Sequence, residues 1–545
     1  MNPDLIIISD KVFTCADDQA RPLGIAIADG RITATFEPDE VDSFAGVGTE
    51  VVDFGDAFVC PGFHDAHQHV LQAALFPSDV ATEYLGTSEL DCVRHMVEFA
   101  QARPEGWLLG HGWRETAWTP SRLPSKHLMD EAFPSRPVAM YSGDAHTLWL
   151  NSCAMSELGI GVDTEPPSGG SFDRDENGEL TGVVREAAAM LYVSRIMAQF
   201  TDDDLAPVYE AYFAKLSSMG ITSVCDMALS LIPGADGIRP GVYEELLAAG
   251  KLGVRAHLFP TLSDDQSNLE RLQARLTEDM LRAPGFKQFF DGVSSQHTAW
   301  CTEQYEHPRY EGDVGRPTIE PGRMRELVFS AASRGHAVRI HTIGDRAVSE
   351  AISIFAEARE RFGTPTQGAH TLEHIEDIMP EDIERLREAG VIASVQPPHV
   401  VIEVEQPERD LGLWRANRMW PFKTMLGAGV TLAFGTDAPV VPPTSTDVLY
   451  TAVTRREPQT HLPEGGWNPW ENVSRADAIR AYTHGSARAV GRGHELGLIE
   501  PGMLADLAVW DTDLITCESA EIQDAHVLAT FVGGRCVYEA ESDRA

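Results

Sequence analysis

Between residues 220 and 490 one unit recurs along the chain: an amphipathic helix, a glycine that stops it, and a short apolar strand. Met324, Leu327, Val328, Ala331 and Ala332 fall on one helical face, Gly335 closes that helix, and Val338-Arg339-Ile340-His341 reads as the strand. Val348, Ala351, Ile352 and Phe355 form the next stripe before a strand from Thr371 to His374, and Ile383, Leu386 and Ala389 with Gly390 precede another from Val391 to Val395. Upstream, Leu205, Val208, Tyr209, Tyr212 and Leu216 run to Gly220 and a strand from Ile221 to Val224. Such alternation predicts a parallel sheet, open or closed.

Polar residues close several of these strands. Pro61-Gly62-Phe63-His64-Asp65-Ala66-His67-Gln68-His69 ends in two histidines two apart, which project to one side of a strand and can reach a single divalent ion. A pair of surface histidines is the plain alternative. Lys287, His341, His374 and Asp437 also stand where predicted strands open onto loops, the rim at which a (β/α)₈ barrel gathers its catalytic residues. The barrel period is near 31 residues. His341 and His374 are 33 apart, His374 and Asp437 63 apart, and Lys287 and His341 54 apart. His69 and Lys287 are 218 apart where three units need about 94, a surplus of about 120 that matches the irregular stretch at about 75–190. These ligands then fall on strands one, four, five, six and eight of a distorted (β/α)₈ TIM barrel.

Both chain ends read as β structure. Leu5 to Ile8, Gly24 to Ile27 and Val51 to Asp53 at one end, and Ala505 to Trp510 and Ala529 to Val532 at the other, are short apolar runs between turns. We expect them to pair into one small composite β-sandwich domain from residues 1–58 and 491–545, beside a barrel at 59–490; two separate β caps are the alternative. Residues 165–182, rich in proline, glycine and polar residues, fit no helix–strand unit and belong to the insertion. The net charge of −40 argues against a nucleic-acid partner, which demands a basic stripe. No run approaches the roughly 18 apolar residues of a membrane span, and no basic segment precedes an apolar run at the amino end, so a cytoplasmic protein is expected. Eight cysteines without paired spacing indicate neither a disulfide framework nor a thiolate zinc site.

Pro61-Gly62-Phe63 with His67 and His69, then Lys287, His341, His374 and Asp437, resemble the metal site of the amidohydrolase superfamily. The first strands and Glu500-Pro501-Gly502-Met503-Leu504-Ala505-Asp506-Leu507 resemble its small β domain. Asn151-Ser152, Gly220-Ile221-Thr222-Ser223, His341-Thr342-Ile343-Gly344-Asp345-Arg346-Ala347, Gln396-Pro397-Pro398-His399 and Ala481-Tyr482-Thr483 resemble the family 3 branch that includes N-substituted formamide deformylase. The resemblance covers nearly the whole chain.

It implies a water activated by one or two divalent ions, usually zinc, and cleavage of a C–N bond in a small amide-type substrate such as an N-substituted formamide. Neutral imidazoles suit zinc. Asp437 then ligates an ion, accepts the water's proton and passes it to the leaving amine. In binuclear members a carboxylated lysine bridges the ions, which casts Lys287 in that role; burial among Phe286, Phe289 and Phe290 favours the neutral amine this needs. A lysine that snorkels to the surface is the alternative. His146 and His399 are candidates for holding the scissile carbonyl or developing oxyanion, with a structural role as the alternative for each. His64 departs from the family, which has an aliphatic residue there; it is either hydrogen-bonded near the metals or packed. Trp113, Trp118, Tyr141, Trp149 and Trp300 lie in or near predicted loops and line either a pocket or the core. The expected partner is a small-molecule substrate, with a homodimer left open. Other readings are ester, lactone or carbamate hydrolysis at the same site, or a non-catalytic binding or regulatory protein on the same fold.

Overall fold

The stripe on the helix Pro321–Ser333 is the face it buries: Met324, Leu327, Val328, Ala331 and Ala332 are inside. Asp345–Phe362 and Pro380–Ala389 behave likewise, burying Val348, Ala351, Ile352 and Phe355 in one and Ile383, Leu386 and Ala389 in the other. These elements belong to a computed structural model that describes residues 2–143, 146–167, 169–229 and 236–541. Asp144 and Ala145, read beside His146, and Ser168 within the stretch 165–182 lie outside the described residues.

Eight strands build a ring: β1 (Phe63–Gln68), β2 (Ile221–Met227), β3 (Arg255–Phe259), β4 (Gly285–Phe289), β5 (Ala337–Thr342), β6 (Thr371–His374), β7 (Ile392–Val395) and β8 (Leu432–Phe434), of which β3 had no counterpart in the sequence pattern. β1, β2 and β3 pair in parallel in that order, and β4 to β8 form a second parallel sheet in chain order. Two isolated parallel bridges, Thr261 with Lys287 and Gln68 with Ala438, join the sheets at both edges. The eight strands therefore run round a ring whose seams are single bridges. Every strand is buried along its length, as parallel strands covered by helices must be.

Strands from the two ends of the chain share one sheet. Leu507–Trp510 pairs antiparallel with Phe58–Pro61, which pairs parallel with Leu5–Val12. The sheet carries one branch, Glu50–Asp53 paired with Leu5–Val12, and in it Ile7, Ile25, Val59, Leu507, Val509 and Phe531 share one apolar core. It reaches Pro61, three residues beyond the boundary expected from sequence.

The described residues of the irregular stretch build a sheet of their own. Thr82–Glu83, Leu108–Trp113, Val138–Ser142, Thr147–Leu150, Gly170–Arg174 and Leu180–Glu186 make a separate six-stranded sheet. The turn-rich residues 165–182 contribute a hairpin to it, with Asp175 and Gly178 in its turn. Trp113, Trp118 and Trp149 pack edge to face and tilted against one another in its core, and Tyr141 and Trp300 are buried in the main core. The acidic run Asp202-Asp203-Asp204 opens the helix Asp202–Ser217, where Thr201 and Asp204 form a capping box. Among the described residues all eight cysteines are free, and no helix is long and apolar enough to cross a membrane.

Candidate metal centre

His67 stands near the end of β1 and His69 one residue past it, capping the helix Val70–Leu75. Lys287 is in the middle of β4, His341 in β5, His374 at the last position of β6, and Asp437 three residues beyond β8. The ring brings them together. His67 Nε2 and His69 Nε2 lie 3.4 and 3.2 Å from Asp437 Oδ1, and His374 Nδ1 lies 3.8 Å from Asp437 Oδ2. The rings of His67 and His374 are 4.9 Å apart and those of His341 and His374 4.5 Å. Lys287 Nζ is 3.4 Å from His67 Nε2.

The chain accepts local cost to hold this arrangement. His374 and Asp437 have φ of 72° and 60°, a left-handed region that non-glycine residues rarely occupy and that recurs at functional sites. Asp437 is pinned by its N–H, which donates to the His67 carbonyl at 2.7 Å. Two positions earlier only glycine fits: a Cβ on Gly435 would lie 2.7 Å from the His67 nitrogen.

Hydrogen bonds select which nitrogen each imidazole offers. His67 Nδ1 donates to Glu373 Oε2 at 2.6 Å, His69 Nδ1 to the Met227 carbonyl at 2.8 Å, and His374 Nδ1 to Gln396 Oε1 at 2.9 Å. His341 uses the other nitrogen, Nε2, toward the Gly292 carbonyl at 3.3 Å. Nε2 of His67, His69 and His374 and Nδ1 of His341 are thus the nitrogens available to an ion, and partners of this kind fix ring orientation at metal sites.

Electrostatics favour the ligating forms. Burial, helped by the Lys287 charge, lowers the His67 imidazole to about 4, and burial takes His341 and His374 well below the ordinary histidine value, so all three are neutral at pH 7. Burial opposes ionisation of Asp437, but His67, His69 and His374 around it hold its carboxyl well below the usual carboxylate range. Burial pulls the Lys287 ammonium down to about 8, against the charges of Glu373 and Asp437. Neutral imidazoles converging on a buried carboxylate are a donor set that suits a divalent ion. His67, His69 and Asp437 form one compact ligand group, and His374, His399 and Asp437 a second that shares the same carboxylate.

His399 stacks parallel to His374 at 6.1 Å, with Nε2 3.9 Å from Asp437 Oδ2 and no hydrogen-bond partner there. His146 lines the same cavity, its ring 6.1 Å from that of His341. Arg114, Glu376 and Trp420 also face it. Trp420 is the aromatic residue on the cavity wall; the five aromatics singled out in the sequence pack elsewhere.

His64 does not join the centre. It lies with Cys225 and His257, its Nε2 3.5 Å from Cys225 Sγ and its ring 5.0 Å from that of His257. Burial and the charges of Arg339, Arg492 and Arg255 push its imidazole down to about 3. Arg492 Nη1 lies 3.5 Å from His257 Nε2, so this cluster, though compact enough to hold a metal ion, faces the positive charge of an arginine.

Sequence reasoning missed Glu373, Arg339 and Gln396, which orient the candidate ligands. Glu373 Oε1 accepts from Arg339 Nε at 2.6 Å while its other oxygen holds His67. The available signal was a charged residue inside an apolar strand: Arg339 two before His341, and Glu373 directly before His374.

Over residues 50–538 the sequence matches the amidohydrolase family, and the chain belongs to it. It is a hydrolase acting on carbon–nitrogen bonds. The sequence is 29% identical to Protein LONG AFTER FAR-RED 3 of Arabidopsis thaliana, across 98% of this chain and 91% of that protein. It is 27% identical to N-substituted formamide deformylase of Arthrobacter pascens, across 98% of both. The fold is similar to that of an uncharacterized metal-dependent hydrolase from Pyrococcus horikoshii OT3, with a TM-score of 0.75 and 22% identity over 94% of this chain and 99% of that one.

Proposed function

We propose that this chain is a zinc-dependent amidohydrolase that cleaves the C–N bond of a small amide, with N-substituted formamides as the substrate class. The observation that carries the reading is the convergence of His67 Nε2 and His69 Nε2 on the buried Asp437 carboxylate. One or two divalent ions bound there by His67, His69, His341, His374 and Asp437 would acidify a water and polarise the scissile carbonyl. Asp437 takes the water's proton and returns it to the leaving amine, which its two-oxygen head and its place at the cavity wall allow. His146 and His399 face the substrate carbonyl from the same wall and stabilise charge developing on its oxygen.

Lys287, fully buried beside His67, would in a carboxylated form add an anionic oxygen ligand were two ions to bind. The formamide assignment is supported by the likeness to the Arthrobacter enzyme. The ring of eight parallel strands supports a distorted (β/α)₈ barrel at 59–490 with an insertion at about 75–190, and the shared sheet supports a composite domain from 1–58 and 491–545. Free cysteines throughout the described residues fit a reducing compartment, hence the cytoplasm.

The test pairs metal analysis with turnover. Purified protein should carry at least one zinc per chain and release 4-nitroaniline from 4-nitroformanilide, and Asp437→Asn should lose turnover, by about a thousandfold or more, while melting as a folded protein. Less than one divalent ion per chain, or unchanged turnover in Asp437→Asn, would overturn the reading.

A further inference from the structure

Glu186 ends the strand Leu180–Glu186 and precedes the helix Ala187–Met197. Its backbone is at φ 52°, ψ −129°, a region that a residue with a side chain occupies only under strain and when its surroundings over-determine it. The surroundings do so here. The Glu186 N–H donates to the His146 carbonyl at 2.8 Å, and Glu186 Oε2 accepts from His146 Nδ1 at 2.7 Å, so backbone and side chain clamp the same residue. The second carboxylate oxygen is held by Thr298 Oγ1, which donates to it at 2.8 Å.

Gly292 connects this clamp to the candidate metal centre. A Cβ on Gly292 would come within 2.3 Å of Thr298 Oγ1 and 3.3 Å of Glu186 Oε2, so the close packing exists only because glycine stands there. The same Gly292 lends its carbonyl to His341 Nε2. His146 and His341 are therefore oriented by two sides of one wall, and both line the cavity.

We propose that Glu186 is a positioning residue for His146: it fixes Nδ1 as the protonated nitrogen and the ring plane relative to His341, so that the work on a bound substrate falls to Nε2. This rests on the amidohydrolase reading above, in which His146 faces the substrate carbonyl. A hydrogen-bond acceptor of fixed direction sets the tautomer and tilt of such a histidine.

Two measurements on the full-length, zinc-loaded protein test it. With ¹⁵N-labelled histidine, wild type should show a slowly exchanging, far-downfield imidazole N–H proton that disappears both in His146→Gln and in Glu186→Ala. In hydrolysis of 4-nitroformanilide and 4-nitrophenyl formate, Glu186→Ala should lower kcat by about tenfold to a hundredfold with KM nearly unchanged, and Glu186→Gln, which keeps an acceptor oxygen, should recover part of it. Placed on His146→Ala, the Glu186→Ala change should cost less than about twofold more, because a residue that acts through His146 has nothing left to position. Zinc content should be unchanged throughout. Additive losses in the double variant, or absence of the shared proton, would overturn the proposal. A wild type that shows the proton yet hydrolyses neither probe would sink the hydrolase reading and leave the Glu186–His146 pair standing.

Discussion

Glu373 is the residue on which the candidate centre turns, although it is no ligand. It is fully buried, with one oxygen on Arg339 and the other on His67, and Arg339 in turn donates to the Ala66 carbonyl at 2.9 Å, next to His67. The Arg339 and His67 partners hold its carboxyl well below the usual range against the pull of burial. In Glu373→Gln the amide NH₂ must face one of two donors, and the Arg339 charge is left uncompensated inside the protein. Breaking a buried pair in this way costs about 3–5 kcal/mol, and losing the partner of a ligating histidine weakens metal binding about tenfold to a hundredfold. A thermal melt and a competitive zinc titration should both register the change; an unaltered zinc affinity would mean that His67 needs no such partner. His67, His69, His341, His374 and Asp437 were legible in the sequence because each stands at or just past the end of a strand, with His341, His374 and Asp437 spaced near whole multiples of a helix–strand unit; Lys287 sits in the middle of β4 and fits neither rule. Glu373 and Arg339 were not, since their value lies in contacts across strands that pairing creates and spacing does not reveal.

At the level of single elements, β2 carries a carboxylate that the fold tolerates poorly. Asp226 accepts from the Val70 N–H at 3.0 Å and from Tyr243 Oη at 2.8 Å, yet burial still raises its carboxyl from 3.8 to about 7. Well below pH 3.8 both folded and unfolded chains hold the proton; as pH rises through 3.8 toward 7 the unfolded chain releases it first, so stability falls through that window and stays lower above it. The shift corresponds to a loss on the order of 4 kcal/mol, about 2 kcal/mol of it above pH 5.5. Asp226→Asn, whose amide reproduces both contacts if the tyrosine hydroxyl turns to accept, should gain stability over wild type at pH 8 and less at pH 5.5. Urea unfolding at the two pH values measures this, and an equal gain at both would show that Asp226 ionises freely in the folded state. The elements themselves divide by the origin of their order. The helices at Pro321–Ser333, Asp345–Phe362 and Pro380–Ala389 were readable because their burial repeats every turn. The sheet of the insertion was not: its strand Thr82–Glu83 has two residues and pairs with Leu108–Trp113, so its existence depends on partners remote in sequence rather than on a local pattern.

Across the whole molecule, one ion pair ties the terminal sheet to the ring of strands. Arg255 of β3 donates through Nε at 2.6 Å and Nη2 at 2.9 Å to the two oxygens of Asp506, just before Leu507–Trp510, and both side chains are buried. Asp506 also accepts from the Gly533 N–H at 2.7 Å, which draws the carboxyl-terminal hairpin to the same point. A buried, two-pronged pair is strongly felt when half of it is removed but contributes little over a well-packed apolar pair, because desolvation has already consumed most of the attraction. Asp506→Ala should therefore lower stability by about 3–5 kcal/mol by leaving the buried Arg255 charge without its paired carboxylate. Asp506→Leu combined with Arg255→Met should recover much of that loss. Zinc affinity should stay the same in both variants, since Asp506 and Arg255 contact none of His67, His69, His341, His374 or Asp437. Denaturant unfolding and zinc titration on the same samples separate the two effects. If zinc affinity fell together with stability, the two ends of the chain would be shaping the metal centre as well as closing the fold, and the terminal sheet would have to be counted as part of the catalytic apparatus.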